Sequence, residues 1–208
     1  MKTISIGITL LLASTISACE KDSDSDTSTP LEAKIATDIN ARAADNGGYS
    51  TYFNLTTGQT VPASDSGTTK WDIAFRATTI KVNSGNSGPG TAAAQVLTTG
   101  FDDLKEAPAS GYKLDTAGYA IPTGSNNGWY LYTGPATSGP QHAILPIAGR
   151  TIVVKTADNK YAKIQIVSYY QGNPNIADAS FIDLNTRPKD GYYTIRYMIQ
   201  ADGSRKLE

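Results

Sequence analysis

The chain has 208 residues, with 18 basic and 19 acidic side chains, one histidine and a net charge of −1. This balance excludes the basic face that nucleic-acid binding needs and leaves no acidic domain. One cysteine, Cys19, excludes a disulfide framework. The chain opens with Met1-Lys2, a charge-free apolar run from Ile4 to Ile16, and then Ile16-Ser17-Ala18-Cys19. A short positive start, a brief apolar stretch and small residues before a cysteine are the pattern of a bacterial secretion signal ending in a lipobox, too short for a transmembrane helix. Residues 1–18 are therefore read as a signal peptide, and Cys19 as the lipidated first residue of the mature protein. With Cys19 acylated, no thiol remains for a zinc site or a nucleophile. The polar, acidic stretch Glu20-Lys21-Asp22 to Pro30 reads as a tether, giving a lipid anchor and linker over 19–32. Asp22, Asp24 and Asp26 alternate, but the glycine and terminal glutamate of a calcium loop are missing. Residues 33–208 then suit a single domain.

Leu31–Arg42 fits either a short helix or an irregular strand. Tyr49–Leu55 alternates and is turned by Thr56-Thr57-Gly58, a hairpin signal. In Trp71–Arg76 the side chains of Trp71, Ile73 and Phe75 share one face and those of Asp72, Ala74 and Arg76 the other, as in a half-buried strand. That pattern predicts Trp71 buried against the strands of Arg150–Tyr170. Thr79–Val82 is a second short strand, and Asn83–Gly90 is turn chemistry. Ala92–Leu97 is a strand or a helical turn, and Phe101–Ala109, with early acids and a following proline, suits a helix of one or two turns. A loop-rich stretch, Gly111–Asn127, leads to a strand at Trp129–Thr133 and another loop, Gly134–Gln141. Arg150–Thr156 and Lys160–Gln171 form the clearest hairpin, turned by Ala157-Asp158-Asn159, with Ala162, Ile164 and Ile166 inward. Tyr192–Gln200 closes the domain with Tyr193, Ile195, Tyr197 and Ile199 on its apolar face; Met198 falls with Arg196 and Gln200 on the polar one. The class is mainly β, with antiparallel sheets and long loops. Twelve tyrosines against four phenylalanines fit either strand preference or aromatic surfaces with a wet edge.

No motif carries catalysis. His142 is the single histidine, and no G-x-S-x-G elbow accompanies it. Asn83–Gly90 lacks the lysine and hydroxyl residue of a phosphate loop. Asp102 and Asp103 are adjacent, so on a helix they diverge by about 100° and make a poor acid–base pair. The chain is read as a non-enzyme.

WDIAFR at Trp71–Arg76, followed by IKVNSG and SGPG, resembles the signature of the HmuY family, haem-binding surface lipoproteins of Bacteroidetes. The resemblance continues in YFNLTTGQTV (Tyr52–Val61), Gly128-Trp129, RTIVVKTADNKYAKIQIVSYY (Arg150–Tyr170) and YYTIRYMIQADGS (Tyr192–Ser204). The lysine-acid pattern after Cys19 resembles the export signal of surface lipoproteins in the same phylum. The resemblance implies an all-β domain with protruding loops, anchored on the outer face of the outer membrane. It also implies capture of haem as the cofactor and its transfer to a TonB-dependent outer-membrane receptor. In the family one axial ligand is a histidine just after the strand that follows Gly-Trp; Gly134 stands there in this chain. The other lies in the loop before Gly-Trp, and Gly118–Asn127 has neither histidine nor methionine. One histidine cannot make a bis-histidine site within one chain. The ligands left are His142, eight residues past Gly134, for axial iron, and Met198 as a second ligand, with Trp129 and Tyr132 against the porphyrin. Beside these stand the structural roles of a surface-loop histidine and a packed methionine. The alternative is a family member that binds a glycan or a peptide instead of haem, through exposed Trp129, Tyr130 and Tyr132.

Overall fold

The computed structural model describes residues 31–208. The signal peptide, Cys19 and the tether up to Pro30 lie outside the described residues. The architecture is all antiparallel. Strand β1 is Lys34–Asn40, β2 Thr51–Asn54, β3 Gln59–Val61, β4 Ile73–Arg76, β5 Thr79–Val82 and β6 Ala93–Leu97. They are followed by β7 Tyr130–Tyr132, β8 Ile144–Pro146, β9 Thr151–Lys155, β10 Tyr161–Tyr170, a single helical turn α1 Ala179–Ile182, and β11 Asp190–Gln200. A five-stranded sheet has the order β1-β11-β10-β9-β6, a four-stranded sheet the order β3-β2-β4-β5, and β7-β8 form a separate hairpin.

Period-two patterning sets the register of the larger sheet. Ala162, Ile164 and Ile166 of β10 stand opposite Ile199, Tyr197 and Ile195 of β11, so one face collects the apolar side chains of both strands. That face meets the four-stranded sheet through Phe53 against Tyr197 at 5.8 Å and Phe75 against Tyr193 at 4.7 Å between ring centroids. Ile73, Phe75, Val82, Val154, Ile164 and Ile195 are buried in the resulting core. Each such side chain contributes about 1.5–3 kcal/mol by leaving water. β1 is an irregular strand, and no helix forms over its residues. Its pairing with β11 shifts register between Ala36 and Ile39, where Asp38 takes a φ of 52°.

Two expectations need correction. Trp71 is buried, but it lies outside the main apolar core that β9 and β10 help to build. Its ring stacks edge-on against Tyr52 at 4.9 Å and its Nε1–H donates to the Ser66 carbonyl. Alternation fails there because Asp72 turns the chain into the sheet: its carboxylate accepts the Leu55 N–H at 2.7 Å and its carbonyl accepts the Asn83 N–H. The loop after Val82 is then built around buried Asn83, which donates to the Thr68 and Trp71 carbonyls and accepts the Gly90 N–H. A Cβ at Gly88 would collide with Asn83 Oδ1 and the Trp71 ring, so this position admits only glycine. The second correction concerns Phe101–Ala109, which forms a turn and an extended stretch with no helix.

The reason lies on the outer face of the larger sheet. Gln95, Val153, Lys163 and Met198 form one cross-strand row there. Leu104, Ala107 and Leu207 cover this face, packing on Val153 with Tyr112 and Tyr161 at the rim. Lys163, 3% exposed, donates from Nζ to the Phe101 carbonyl at 2.8 Å and the Leu104 carbonyl at 2.9 Å. The Phe101 ring has Lys163 on it at 4.6 Å and Arg196 at 4.3 Å. Arg196 in turn holds Asp102 through two hydrogen bonds, 2.9 and 2.7 Å. Asp102 therefore serves as an ion-pair partner, and no helix start forms.

Candidate functional site

Site geometry begins at Gly128-Trp129. A Cβ on Gly128 would collide with the Pro122 carbonyl, so the chain can pass there only as glycine. Arg150 fixes this crossing by donating to the carbonyls of Gly128 and Asn126. Trp129, 2% exposed, then turns inward. Its ring lies 4.9, 5.7 and 5.2 Å from those of Tyr130, Tyr169 and Tyr193, and its Nε1–H donates to the Thr78 carbonyl. The expectation of a ligand-facing Trp129 and an exposed Tyr130 is thus overturned: both are buried, because an indole with its N–H satisfied is worth more inside an aromatic cluster than in water. Tyr132, 45% exposed, is the only one of the three that reaches solvent.

Trp129 is the footing of the β7–β8 hairpin. Tyr132 pairs with Ile144, and the loop between them is closed by its own polar groups. Thr133 Oγ1 donates to the Pro140 carbonyl and accepts the Ala143 N–H, and the His142 N–H donates to the Gly134 carbonyl. Gly134 and His142 both have positive φ, 59° and 52°. This backbone brings His142 beside Tyr132, with 2.6 Å between the phenol oxygen and imidazole Nδ1 and 6.0 Å between ring centroids. Both side chains are exposed.

Two contacts missed by sequence reasoning brace the hairpin from behind. The Ile144 N–H donates to the Tyr170 hydroxyl at 3.0 Å, and burial raises the pKa of that phenol, keeping it neutral. Arg187 donates to the Phe181 carbonyl at 2.7 Å and to the His142 carbonyl at 3.4 Å, with its guanidinium 4.9 Å from the Phe181 ring centroid. It ties α1 to the loop that carries His142. No spacing in the sequence links residues 187 and 142; Tyr170 ends a recognisable strand, but nothing marks its hydroxyl as a partner.

The structure therefore joins Tyr132 to His142 and separates them from Trp129 and Met198. Met198, 8% exposed, stands opposite Lys163 on the covered face of the five-stranded sheet. Its unexpected place between Arg196 and Gln200 reflects that cover. Among the described residues no group of three or more histidine, cysteine or acidic side chains could hold a metal ion, and no helix is long and apolar enough to cross a membrane. Chemically, the hairpin tip offers one oriented imidazole and the exposed ring of Tyr132, with half-exposed Leu131 adjacent in the strand.

No curated protein matches the chain. Among solved structures it is similar to an apo HmuY analogue of Tannerella forsythia, at 18% identity over 82% of this chain and 95% of that one, with a TM-score of 0.48. It is also similar to a putative HmuY-like haem-binding protein of Bacteroides vulgatus, at 19% identity over 83% and 93% with a TM-score of 0.43. A putative lipoprotein of Bacteroides fragilis shares 14% identity over 80% and 90%, with a TM-score of 0.46. The family model described as HmuY protein matches residues 49–197, from just before β2 into β11 and including the whole β7–β8 hairpin, and the chain belongs to the HmuY family.

Proposed function

We propose that this is a surface lipoprotein that captures haem through a single axial imidazole, His142, and passes it to a TonB-dependent outer-membrane receptor. The observation that carries the reading is the 2.6 Å contact of Tyr132 with His142 Nδ1 on an exposed hairpin. In the tautomer that places the proton on Nδ1, the imidazole donates to the phenol oxygen and Nε2 keeps its lone pair for a metal. Tyr132 thus sets the ring orientation, and its exposed face supplies surface for stacking. Bound haem would supply an iron that takes an axial nitrogen. The residues fit one such ligand. Gly134 has no donor side chain, and Met198 is buried on another face. In this reading residues 1–18 are removed, acylated Cys19 anchors the chain to the outer face of the outer membrane, residues 19–32 are the tether, and 33–208 form the binding domain.

The same two facts, Gly134 at the family's ligand position and a buried Met198, favour a second reading, a HmuY-like binding or adhesion module without haem. Haemin titration followed in the visible region separates them. Wild type should give a high-spin ferric spectrum, as expected for one imidazole and water. His142→Ala should lose the spectral change, and Met198→Leu, which keeps the volume of the buried side chain, should retain it. Identical spectra and affinity for wild type and His142→Ala would remove His142 from the iron. A wild type that shifts no more than an unrelated β protein would leave the second reading.

A further inference from the structure

A cleft of about 630 Å3 opens between β1 and the β2–β3 hairpin, and it shares no residue with the Tyr132–His142 site. It falls within the ~300–1,000 Å3 typical of ligand sites. Its chemistry is distinctive in what surrounds that space. No lysine, arginine or glutamate lines it, and its one acid, Asp38, has a carboxylate oxygen occupied by the Gly172 N–H at 2.8 Å. The lining instead includes the amides Asn40, Asn46 and Gln59 and the hydroxyls of Thr51 and Thr60. Tyr49, 65% exposed, presents its ring at the cleft.

Several of these groups have hydrogen-bonding capacity to spare. Gln59 and Thr60 make no side-chain hydrogen bond to any described residue. Asn46 Oδ1 is buried and accepts none, while its Nδ2 makes only long contacts, 3.4 and 3.5 Å, to the Asn40 carbonyl and Thr51 Oγ1. That oxygen is enclosed by the protein itself, so the capacity open to a ligand in the cleft is that of exposed Gln59 and Thr60.

We infer that this cleft binds a neutral oligosaccharide. A sugar is uncharged and carries adjacent hydroxyls that each donate and accept, which side-chain amides match with one carbonyl and one NH2. Its C–H face is apolar and stacks on an exposed phenol ring. Other occupants fit less well. An anionic ligand would find no cation among the lining residues. An apolar ligand would strip water from the amides and return no hydrogen bond. An extended peptide would add to a strand edge, but β1 is broken by the register shift at Asp38 and β3 has only three residues, so neither offers a continuous ladder.

Saturation-transfer NMR on the intact protein tests this, with maltotriose, cellotriose, mannotriose, galactotriose and chitotriose as probes and a neutral Thr/Val hexapeptide as the competing class. Transfer to the ring C–H protons of at least one sugar is expected. Tyr49→Ala should weaken it roughly tenfold, Gln59→Ala should weaken it as well, and His142→Ala should leave it unchanged. Both cleft residues are exposed, so these variants keep the fold. Silence from all five sugars, binding indifferent to Tyr49→Ala and Gln59→Ala, or binding of the hexapeptide at this cleft without any sugar would each overturn the inference.

Discussion

Asp72 is a carboxylate 8% exposed, with a single hydrogen-bond donor on it, the Leu55 N–H. Burial pushes its pKa from the ordinary 3.8 up to about 6; the Leu55 N–H and Lys160 pull against the rise, and Asp158 adds to it. The folded state therefore holds this proton more tightly than the unfolded chain does. The stability that protonation confers is fully present below pH 3.8 and is lost as pH rises through about 6. The gap corresponds to ~3 kcal/mol at neutral pH. Asp72→Asn keeps an oxygen for the Leu55 N–H and removes the charge. Denaturant midpoints of both proteins should be measured from pH 4 to 8 and their difference taken, because the other titrating groups are common to both and cancel. Relative to wild type, the variant should gain roughly 2.5 kcal/mol between pH 4 and pH 7.5, with most of the change between pH 4 and 6. Any cost of seating the extra NH2 is independent of pH and leaves that slope intact. A difference that stays flat across the range, or a wild type that gains on the variant as pH rises, would refute the reasoning.

Lys163→Met removes both donors to the Phe101 and Leu104 carbonyls; a loss of ~2–4 kcal/mol is expected, with faster amide exchange across residues 101–105, and an unchanged denaturation midpoint would count against the clamp. Trp71→Ala should cost about 3–5 kcal/mol, the range for truncating a buried aromatic, although its ring lies on Tyr52 and the Asn83 loop; a wild-type midpoint would contradict that burial. Cys19→Ala, processed by an ordinary signal peptidase, should leave the protein in the soluble fraction, since acylation is the proposed hold on the membrane; a variant that still sediments with membranes after removal of residues 1–18 would refute the anchor.

The parts of the fold legible in the sequence are those where one face of a strand carries apolar residues to the core and the other carries mostly polar ones. β10 and β11 alternate for this reason, and Tyr193, Ile195, Tyr197 and Ile199 all proved buried. Legibility fails where a remote segment covers the second face. Met198 and Lys163 read as solvent-facing because their neighbours in sequence are polar, yet Phe101–Ala107 and Leu207 lie over that side of the sheet. The unbroken apolar run Ile152–Val154 was the available signal, since a strand buried on both faces has no polar positions to alternate with. Phe101–Ala109 failed in the complementary way: its charge pattern suits a helix, but the Lys163 and Arg196 contacts outweigh a propensity of a few tenths of a kcal/mol per residue. The candidate site was legible as residues and not as an arrangement. Tyr132 and His142 each stand out in the sequence, whereas their contact depends on the register Tyr132–Ile144. β8, which sets that register, has three residues, too few to show a period. Burial of Trp129 was hidden for a related reason: a tryptophan at a strand entrance is equally compatible with a ligand face and a core anchor, and the choice is made by Thr78, Tyr169 and Tyr193, all distant in the chain. Gly128 carried the missing information, because a glycine forced by close approach of the Pro122 backbone marks a chain entering the interior.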